Sequence, residues 1–200
     1  MHWADHTAQR LSEKYGSQVI ASGITPSGEF HIGHLREILT AEMIHRACLD
    51  AGEKSEYIFI VDSMDPLRRV YDFLSDDYEK YIGCPLAYIP SPNPDGTPNY
   101  KGESYAMHFL NPFLDALKQI GVNPVVVMNH ETYDKGLFAE KIDIAINRRE
   151  EIRNVIEEIS SRELPKEWYP YNPIGSDGSM DGLVITSYEK PYVYWIDRNG

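Results

Sequence analysis

Two histidines, His31 and His34, stand three residues apart directly after a loop that is rich in small residues. Glycines such as Gly23 and Gly28 let a ligand approach the backbone closely. A helix that begins near His31 offers free N–H groups and the positive end of its dipole to an anion. The two histidines then lie one turn apart on the same helix face. This stretch predicts a phosphate-binding site.

The elements that must position this loop form a strand–helix–strand unit. Residues 18–22 are typical of a short strand, and apolar residues recur at helical spacing from His31 to Asp50. The apolar run that follows, 56–62, ends in Asp62 and is typical of a buried parallel strand. Ligands in such sheets bind beyond the carboxyl ends of the strands, so the loop and Asp62 are expected to meet at one crevice.

The rest of the chain predicts further helices and strands around this unit. We expect an amphipathic helix over 3–15 and a helix that begins at Pro66 with Asp65 as its cap. A proline-rich stretch, 85–98, predicts an irregular loop. The spacing predicts a helix over 104–120, a strand over 124–128, one long helix over 136–161 and a hairpin of 183–188 with 192–196.

Composition excludes several classes of protein. The chain is 42% hydrophobic and 25% charged, which is ordinary for a folded domain. Its net charge of −12 argues against a dedicated nucleic-acid-binding module and against an anionic membrane as partner. No apolar run approaches membrane-spanning length. The two cysteines lack metal-ligand spacing, which favours reduced thiols and a cytoplasmic protein.

The run from Pro26 to His34, PSGEFHIGH, resembles the HIGH signature of class I aminoacyl-tRNA synthetases. The preceding SGITPSG, 22–28, resembles one subgroup of them, the class I lysyl-tRNA synthetases. Further stretches that resemble this subgroup are Trp3-Ala4-Asp5, Asp65-Pro66-Leu67-Arg68-Arg69-Val70-Tyr71, Gly83-Cys84-Pro85-Leu86, His108-Phe109 with Pro112-Phe113, Arg149 with Ile152-Arg153, and Trp168 with Pro170. The resemblance covers about residues 1–173.

The resemblance implies a Rossmann-like (HUP-type) α/β fold, with a parallel sheet flanked by helices. We expect a nucleotide-binding catalytic domain over 1–167, with a proline-rich insertion near 85–100, and a small loop and hairpin segment over 168–200. The implied activity is ATP-dependent activation of L-lysine and its transfer to tRNA(Lys), with Mg²⁺ accompanying ATP.

The resemblance also assigns candidate site residues. His31 and His34 would contact the triphosphate and stabilise developing charge. The implied ATP-binding residues are Pro26, Ser27, Gly28, His31, Gly33 and His34, and the implied lysine-binding residues are Gly23, Thr25, Asp62 and Asp65. The two acids could face the lysine ammonium, the ribose or magnesium, and an ordinary helix cap and a solvated acid are the alternative.

Two departures from the family pattern leave alternatives open. The chain contains no Lys-Met-Ser-Lys-Ser run, the second signature of class I enzymes. Gly175 and Gly178 stand where the family often has paired cysteines for zinc, so neither zinc nor another protein-bound metal is expected. The interpretations are the N-terminal part of a lysine–tRNA ligase, a non-catalytic nucleotide-binding paralogue, and a HIGH-type nucleotidylyltransferase acting on another small substrate.

Overall fold

The computed structural model describes residues 2–14 and 16–197. In chain order its elements are α1 (Trp3–Ser12), β1 (Ser17–Ile24), α2 (Ile32–Asp50), β2 (Lys54–Val61), a 3₁₀ helix (Asp76–Tyr81), β3 (Pro90–Pro92), β4 (Pro98–Ser104), α3 (Tyr105–Gln119), β5 (Val125–Met128), α4 (Asn129–Asp134), α5 (Ala139–Asn147), α6 (Arg149–Ser160), β6 (Leu183–Glu189) and β7 (Tyr192–Asp197).

The centre of the fold is a parallel sheet of three strands in the order β1-β2-β5. Ile24 pairs with Val61, and Val61 pairs with Met128, so the three strands end at the same level. The predicted α/β fold with a parallel sheet flanked by helices is confirmed. Since the strands end together, the residues that follow them meet at one edge of the sheet.

One face of the sheet carries the main core. Phe59 and Val61 of β2 are fully buried against Ile38 of α2 and against Leu110 and its neighbours on α3. Tyr57 lies in the same layer, and its hydroxyl lies 2.7 Å from the Ser22 hydroxyl. The helical spacing that predicted α2 therefore reflects its packing on this face.

The other face of the sheet is less covered. Alternate residues of the strands point to it, and we call Val19, Ala21, Ile58, Ile60 and Val125 the open face. Val19 is 64% exposed and Val125 is 50% exposed, while Ile58 and Ile60 are half-buried. Parallel sheets are ordinarily covered on both faces, which makes this exposure unusual for such a sheet.

A second core is formed by the chain segment that joins β2 to α3 together with the first turns of α3. Two predictions about this segment are wrong. No helix begins at Pro66: it forms an antiparallel bridge with Pro85, and the Leu67 N–H donates to the Cys84 carbonyl at 2.9 Å. The Leu67 carbonyl, which a helix would use as an acceptor, instead accepts from the Gly83 N–H at 2.8 Å. The proline-rich stretch is only partly irregular, because β3 and β4 pair as an antiparallel hairpin that begins at Pro90.

One further prediction, in the C-terminal third, is wrong. The single helix predicted over 136–161 is two helices, α5 and α6, which separate at Arg148 with φ −106° and ψ 20°. Beside this break the Arg149 guanidinium lies 4.9 Å from the centre of the Tyr169 ring. The helical spacing of 136–161 does not predict this contact.

The predicted C-terminal hairpin is confirmed, since β6 and β7 pair antiparallel around Glu189 and Lys190. It is tied to α5 by Asp143, which accepts from the Tyr188 hydroxyl and from Lys190 Nζ, each at 2.7 Å. Among the helices of residues 2–14 and 16–197, none is both long and apolar enough to cross a bilayer.

Candidate functional site

His31 and His34 cap the N-terminus of α2 reciprocally. His31 is the N-cap residue, and its Nδ1 accepts from the Gly33 N–H at 3.0 Å. His34 Nδ1 accepts from the His31 N–H, also at 3.0 Å. A neutral imidazole that accepts at Nδ1 carries its hydrogen on Nε2. Both rings therefore present an Nε2–H donor at the positive end of the helix dipole.

The electrostatics of His34 favour its neutral form. Partial burial, and secondarily the neighbouring His31, lower the pKa of His34 below its ordinary value. The two ring centres are 4.0 Å apart, and Phe30 packs against His34 at 4.9 Å. Two neutral rings can lie this close without repulsion between charges, so the arrangement suits donation of two N–H groups to an anion.

Gly33 makes room for the His31 ring in its capping position. A Cβ added at Gly33 would lie 2.8 Å from Cε1 and 2.9 Å from Nδ1 of that ring. At Gly23, by contrast, a Cβ would lie 3.5 Å from Asp62 Oδ2, which is an ordinary contact. Gly33 therefore serves the histidine cap itself, while Gly23 adjoins the Asp62 carboxylate.

The loop between β1 and α2 is held from two sides. The Thr25 hydroxyl donates to Asp65 Oδ2 at 2.6 Å. The Tyr105 hydroxyl, at the start of α3, donates to the Ser27 carbonyl at 2.8 Å. Pro26 between them is fully buried, and Gly28 faces the Phe73 ring. The backbone of the loop is thereby fixed relative to the sheet and to α3.

Polar residues follow the ends of all three strands. Thr25 follows β1, Asp62 follows β2 and Asn129 follows β5. Asp62 Oδ1 accepts from Asn129 Nδ2 at 2.7 Å. Burial, and secondarily the nearby Asp65, raise the pKa of Asp62. Its carboxylate would therefore gain from a cationic neighbour.

A second contact joins β2 to α4 beside the first. The Oγ of Ser63, a fully buried residue, accepts from the His130 N–H at 3.1 Å and lies 2.9 Å from His130 Nδ1. Asp62 and Ser63 after β2 thus contact Asn129 and His130 after β5, one pair beside the other. Neither Asn129 nor His130 was among the residues predicted from the sequence. The signal that could have found Asn129 was its place directly after a predicted strand.

Two concave spaces adjoin these residues. A hollow of about 380 Å³ is lined by Gly23, Ile24, Thr25, Ser27, Gly33, His34 and Glu37. A cleft of about 1120 Å³ has Asp65, Arg68 and Asn129 in its lining. Many aromatic residues of the C-terminal third complete that lining, namely Tyr133, Phe138, Trp168, Tyr169, Tyr171 and Tyr188, and Tyr88 joins them.

The predicted residues are therefore brought together in part. Five of them line the hollow, Asp65 lines the cleft, and Asp62 is linked to both through Gly23 and Asn129. Pro26, Gly28 and His31 contribute to the loop or the cap rather than to either lining. Within the described ranges, no group of three or more His, Cys, Asp or Glu side chains is arranged to hold a metal ion.

Comparison with known proteins identifies the family to which the chain belongs. The family model described as tRNA synthetases class I (K) matches residues 1–200. A lysine–tRNA ligase of Archaeoglobus fulgidus is 42% identical over 196 residues, 98% of this chain and 38% of the relative. One of Methanocaldococcus jannaschii is 45% identical over 188 residues, 92% of this chain and 34% of the relative.

A third relative, the lysine–tRNA ligase of Thermoplasma volcanium, is 38% identical over 201 residues, all of this chain and 38% of the relative. The chain thus spans little more than a third of the length of these relatives. The family match extends over the glycine loop, the histidine cap and the strand ends alike. The chain belongs to the class I (K) family of tRNA synthetases.

Proposed function

We propose that this chain is the N-terminal, ATP- and lysine-binding part of a class I lysine–tRNA ligase. The observation that supports it most directly is the reciprocal cap of His31 and His34, which prepares two Nε2–H donors at the start of α2. Complete ligation, with transfer of the lysyl group to tRNA(Lys), is proposed for this chain together with sequence that corresponds to the remaining length of its relatives.

In this proposal the hollow beside His34 receives the phosphates of ATP. The Nε2–H of His34, and that of His31 beside the hollow, donate to phosphate oxygens. They stabilise the charge that develops while the lysine carboxylate attacks the α-phosphate and the bond to the β-phosphate breaks, with pyrophosphate as the leaving group. The backbone at Pro26, Ser27 and Gly28 lies close to the nucleotide. The family uses Mg²⁺ together with ATP, and the ion would arrive on the phosphates rather than in a site built from protein ligands.

The amino acid binds at the strand ends. Gly23 allows close approach to β1, and Thr25 holds Asp65 in place at 2.6 Å. Asp62 and Asp65 offer negative charge to an ammonium group of L-lysine. The raised pKa of Asp62 supports this role, because a bound cation relieves the unfavourable ionisation of a carboxylate that is desolvated beside another one.

Several further features belong to the same proposal. We place the catalytic domain at 1–167 and a small loop and hairpin segment at 168–200, and we place the protein in the cytoplasm. The second segment contributes Trp168, Tyr171 and Tyr188 to the cleft beside Asp65. It would therefore border the amino-acid end of the site.

The test is ATP–pyrophosphate exchange, measured with and without lysine for the chain and for any longer form that its gene encodes. Exchange that depends on lysine and falls with His34→Ala supports the proposal. Pyrophosphate release with a different acceptor would favour a nucleotidylyltransferase. ATP binding without exchange, unchanged by His31→Ala, would favour a non-catalytic paralogue.

A further inference from the structure

We propose that Asn129 is the positioning residue for Asp62, and that it aims one carboxylate oxygen at the space beside Gly23 for a substrate ammonium group. This inference deepens the proposed function and rests on it for the identity of the ammonium group. Three features of the strand ends support it: the register of β2 and β5, the different contacts of the two oxygens of Asp62, and the neighbouring contact between Ser63 and His130.

Register places Asn129 where it can act on Asp62. Val61 and Met128 form the last pair between β2 and β5, so Asp62 and Asn129 are the residues that directly follow this pair. The Asp62 N–H donates to the Ile24 carbonyl at 3.0 Å, which ties its backbone to β1 as well. The Asp62 side chain therefore extends from a backbone that is held in place, and its remaining freedom is rotation about its two side-chain torsions.

Asn129 removes that freedom. Its Nδ2 donates to Asp62 Oδ1 at 2.7 Å, while the other oxygen, Oδ2, lies 3.5 Å from the position that a Cβ on Gly23 would take. One oxygen is thus held by the amide and the other faces the bare backbone of β1. A neutral amide holds the carboxylate without cancelling its charge, whereas a lysine or arginine in this place would neutralise it.

The contact between Ser63 and His130 fixes the backbone that carries Asn129. Ser63 and His130, the next residues along each segment, contact each other through the His130 N–H and Nδ1, at 3.1 and 2.9 Å from Ser63 Oγ. Since Ser63 is fully buried, this contact holds the start of α4 against the end of β2. Two adjacent pairs, Asp62 with Asn129 and Ser63 with His130, therefore set the geometry.

Binding to the chain tests the proposal with Asn129→Ala and Asn129→Asp. The second variant keeps the shape but replaces the donor with a third carboxylate. The matched control is Asn111→Ala, because Asn111 Nδ2 also donates to a carboxylate, Glu103 Oε2, at 2.6 Å and lies away from the strand ends. L-Lysine, norleucine and ATP are titrated by calorimetry against each protein.

We expect Asn129→Ala to weaken lysine binding at least about tenfold, because the hydrogen bond that orients the charged Asp62 carboxylate is lost. ATP binding stays unchanged, and Asn111→Ala binds both ligands as wild type does. If norleucine weakens in parallel, Asp62 faces the α-ammonium group; if lysine alone weakens, it faces the ε-ammonium group. Equal loss of lysine and ATP binding, or wild-type lysine binding by both Asn129 variants, overturns the proposal.

A second measurement does not depend on lysine. The carboxyl carbon of Asp62 is followed by NMR as a function of pH in wild type and in Asn129→Ala. We expect its pKa to rise further in the variant, because the ionised form loses its donor while Asp65 remains nearby. An unchanged pKa of Asp62 contradicts the positioning role. Failure of wild type to bind lysine, with the pKa shifted as expected, would instead contradict the proposed function.

Discussion

Gly33 illustrates how a single small residue can be explained from its neighbours. Glycine between two histidines suggests room for a ligand, but the atoms nearest to a Cβ at this position belong to the His31 ring, at 2.8 and 2.9 Å. The ring can rotate away from such a Cβ at little steric cost. In doing so it would give up the Gly33 N–H and with it half of the reciprocal cap.

Gly33→Ala is therefore expected to weaken ATP binding. The lost cap costs about 0.5–2 kcal/mol, which the better helix propensity of alanine partly offsets, so stability changes less than binding does. Gly16→Ala is the control, because a Cβ there meets nothing within 4 Å. Calorimetric titration with ATP compares the two variants, and wild-type affinity in Gly33→Ala would contradict the role given to the cap.

The same cap makes stability depend on pH in a defined direction. Because the pKa of His34 is lowered by folding, the unfolded chain binds its proton more readily than the folded chain does. The contribution of His34 is complete above the ordinary histidine pKa of about 6.5 and is lost as the pH falls through the folded value. His34→Gln keeps an acceptor for the His31 N–H and cannot titrate in this range.

We therefore expect the difference in Tm between wild type and His34→Gln to move against wild type between pH 7.5 and about 5, as the histidine gains a proton. Thermal unfolding at a series of pH values measures this difference, in which titrating groups that do not interact with His34, Asp62 included, cancel. A difference in Tm that is the same at every pH would show that His34 is not held in its neutral form.

At the scale of elements, the loop between β1 and α2 depends on α3. Tyr105 is fully buried at the start of that helix, and its hydroxyl donates to the Ser27 carbonyl. Tyr78 makes the same kind of contact elsewhere: it is also fully buried, and its hydroxyl donates to the Pro90 carbonyl at 2.9 Å. The two tyrosines allow the effect on the loop to be separated from the effect on stability.

Tyr105→Phe and Tyr78→Phe should each lower the free energy of unfolding by about 1 kcal/mol, because each removes one buried hydrogen bond. Only Tyr105→Phe should also weaken ATP binding, since only it releases the glycine loop. Urea denaturation and ATP titration of both variants measure these quantities. If both variants bind ATP equally well, the anchor at Ser27 is not needed for the site.

How far the sequence predicts these elements depends on the range of the interactions that form them. The apolar spacing of α2 and α3 and the apolar run of β2 reflect one continuous packing surface each, and they were predicted correctly. Pro66 fits the first turn of a helix as well as it fits a bridge, because it lacks a donor in either case. Its partner Pro85 decides between them, and no local pattern reveals that pairing.

The candidate site likewise has some residues that a local pattern reveals and others that depend on distant pairing. The loop and Asp62 were expected at one crevice from topology alone; in the structure Asp62 Oδ2 adjoins Gly23, but Asp62 itself lines neither the hollow nor the cleft. Asn129 needed one more step, since it becomes relevant only when the register aligns Met128 with Val61. The break at Arg148 was not revealed by the local pattern, because apolar residues recur at helical spacing on both sides of it; Arg149, beside the break, contacts Tyr169, which lies 20 residues further along the chain.

At the scale of the whole molecule, the sheet is the feature that remains to be explained. Its order, β1-β2-β5, is one half of a doubly wound sheet, in which helices cover both faces. Here α2 and α3 cover one face, and the open face carries Val19 at 64% and Val125 at 50% exposure. The relatives have nearly two thirds of their length beyond the region that this chain matches, which is ample for further covering elements.

We therefore expect the 200-residue chain to self-associate through the open face. Exposed apolar strands of a parallel sheet favour association, and charged residues on such strands prevent it. Val19→Lys with Val125→Lys should shift the chain towards monomer in sedimentation velocity at micromolar concentrations, and ATP binding should be unaffected because neither residue lines the hollow.

The pair Ile159→Lys and Val155→Lys on α6 is the control, since these residues are also exposed but lie outside the sheet. A wild-type chain that sediments as a monomer at every concentration would contradict this expectation and would mean that the open face is tolerated in water, with self-repulsion from the net charge of −12 favouring the monomer.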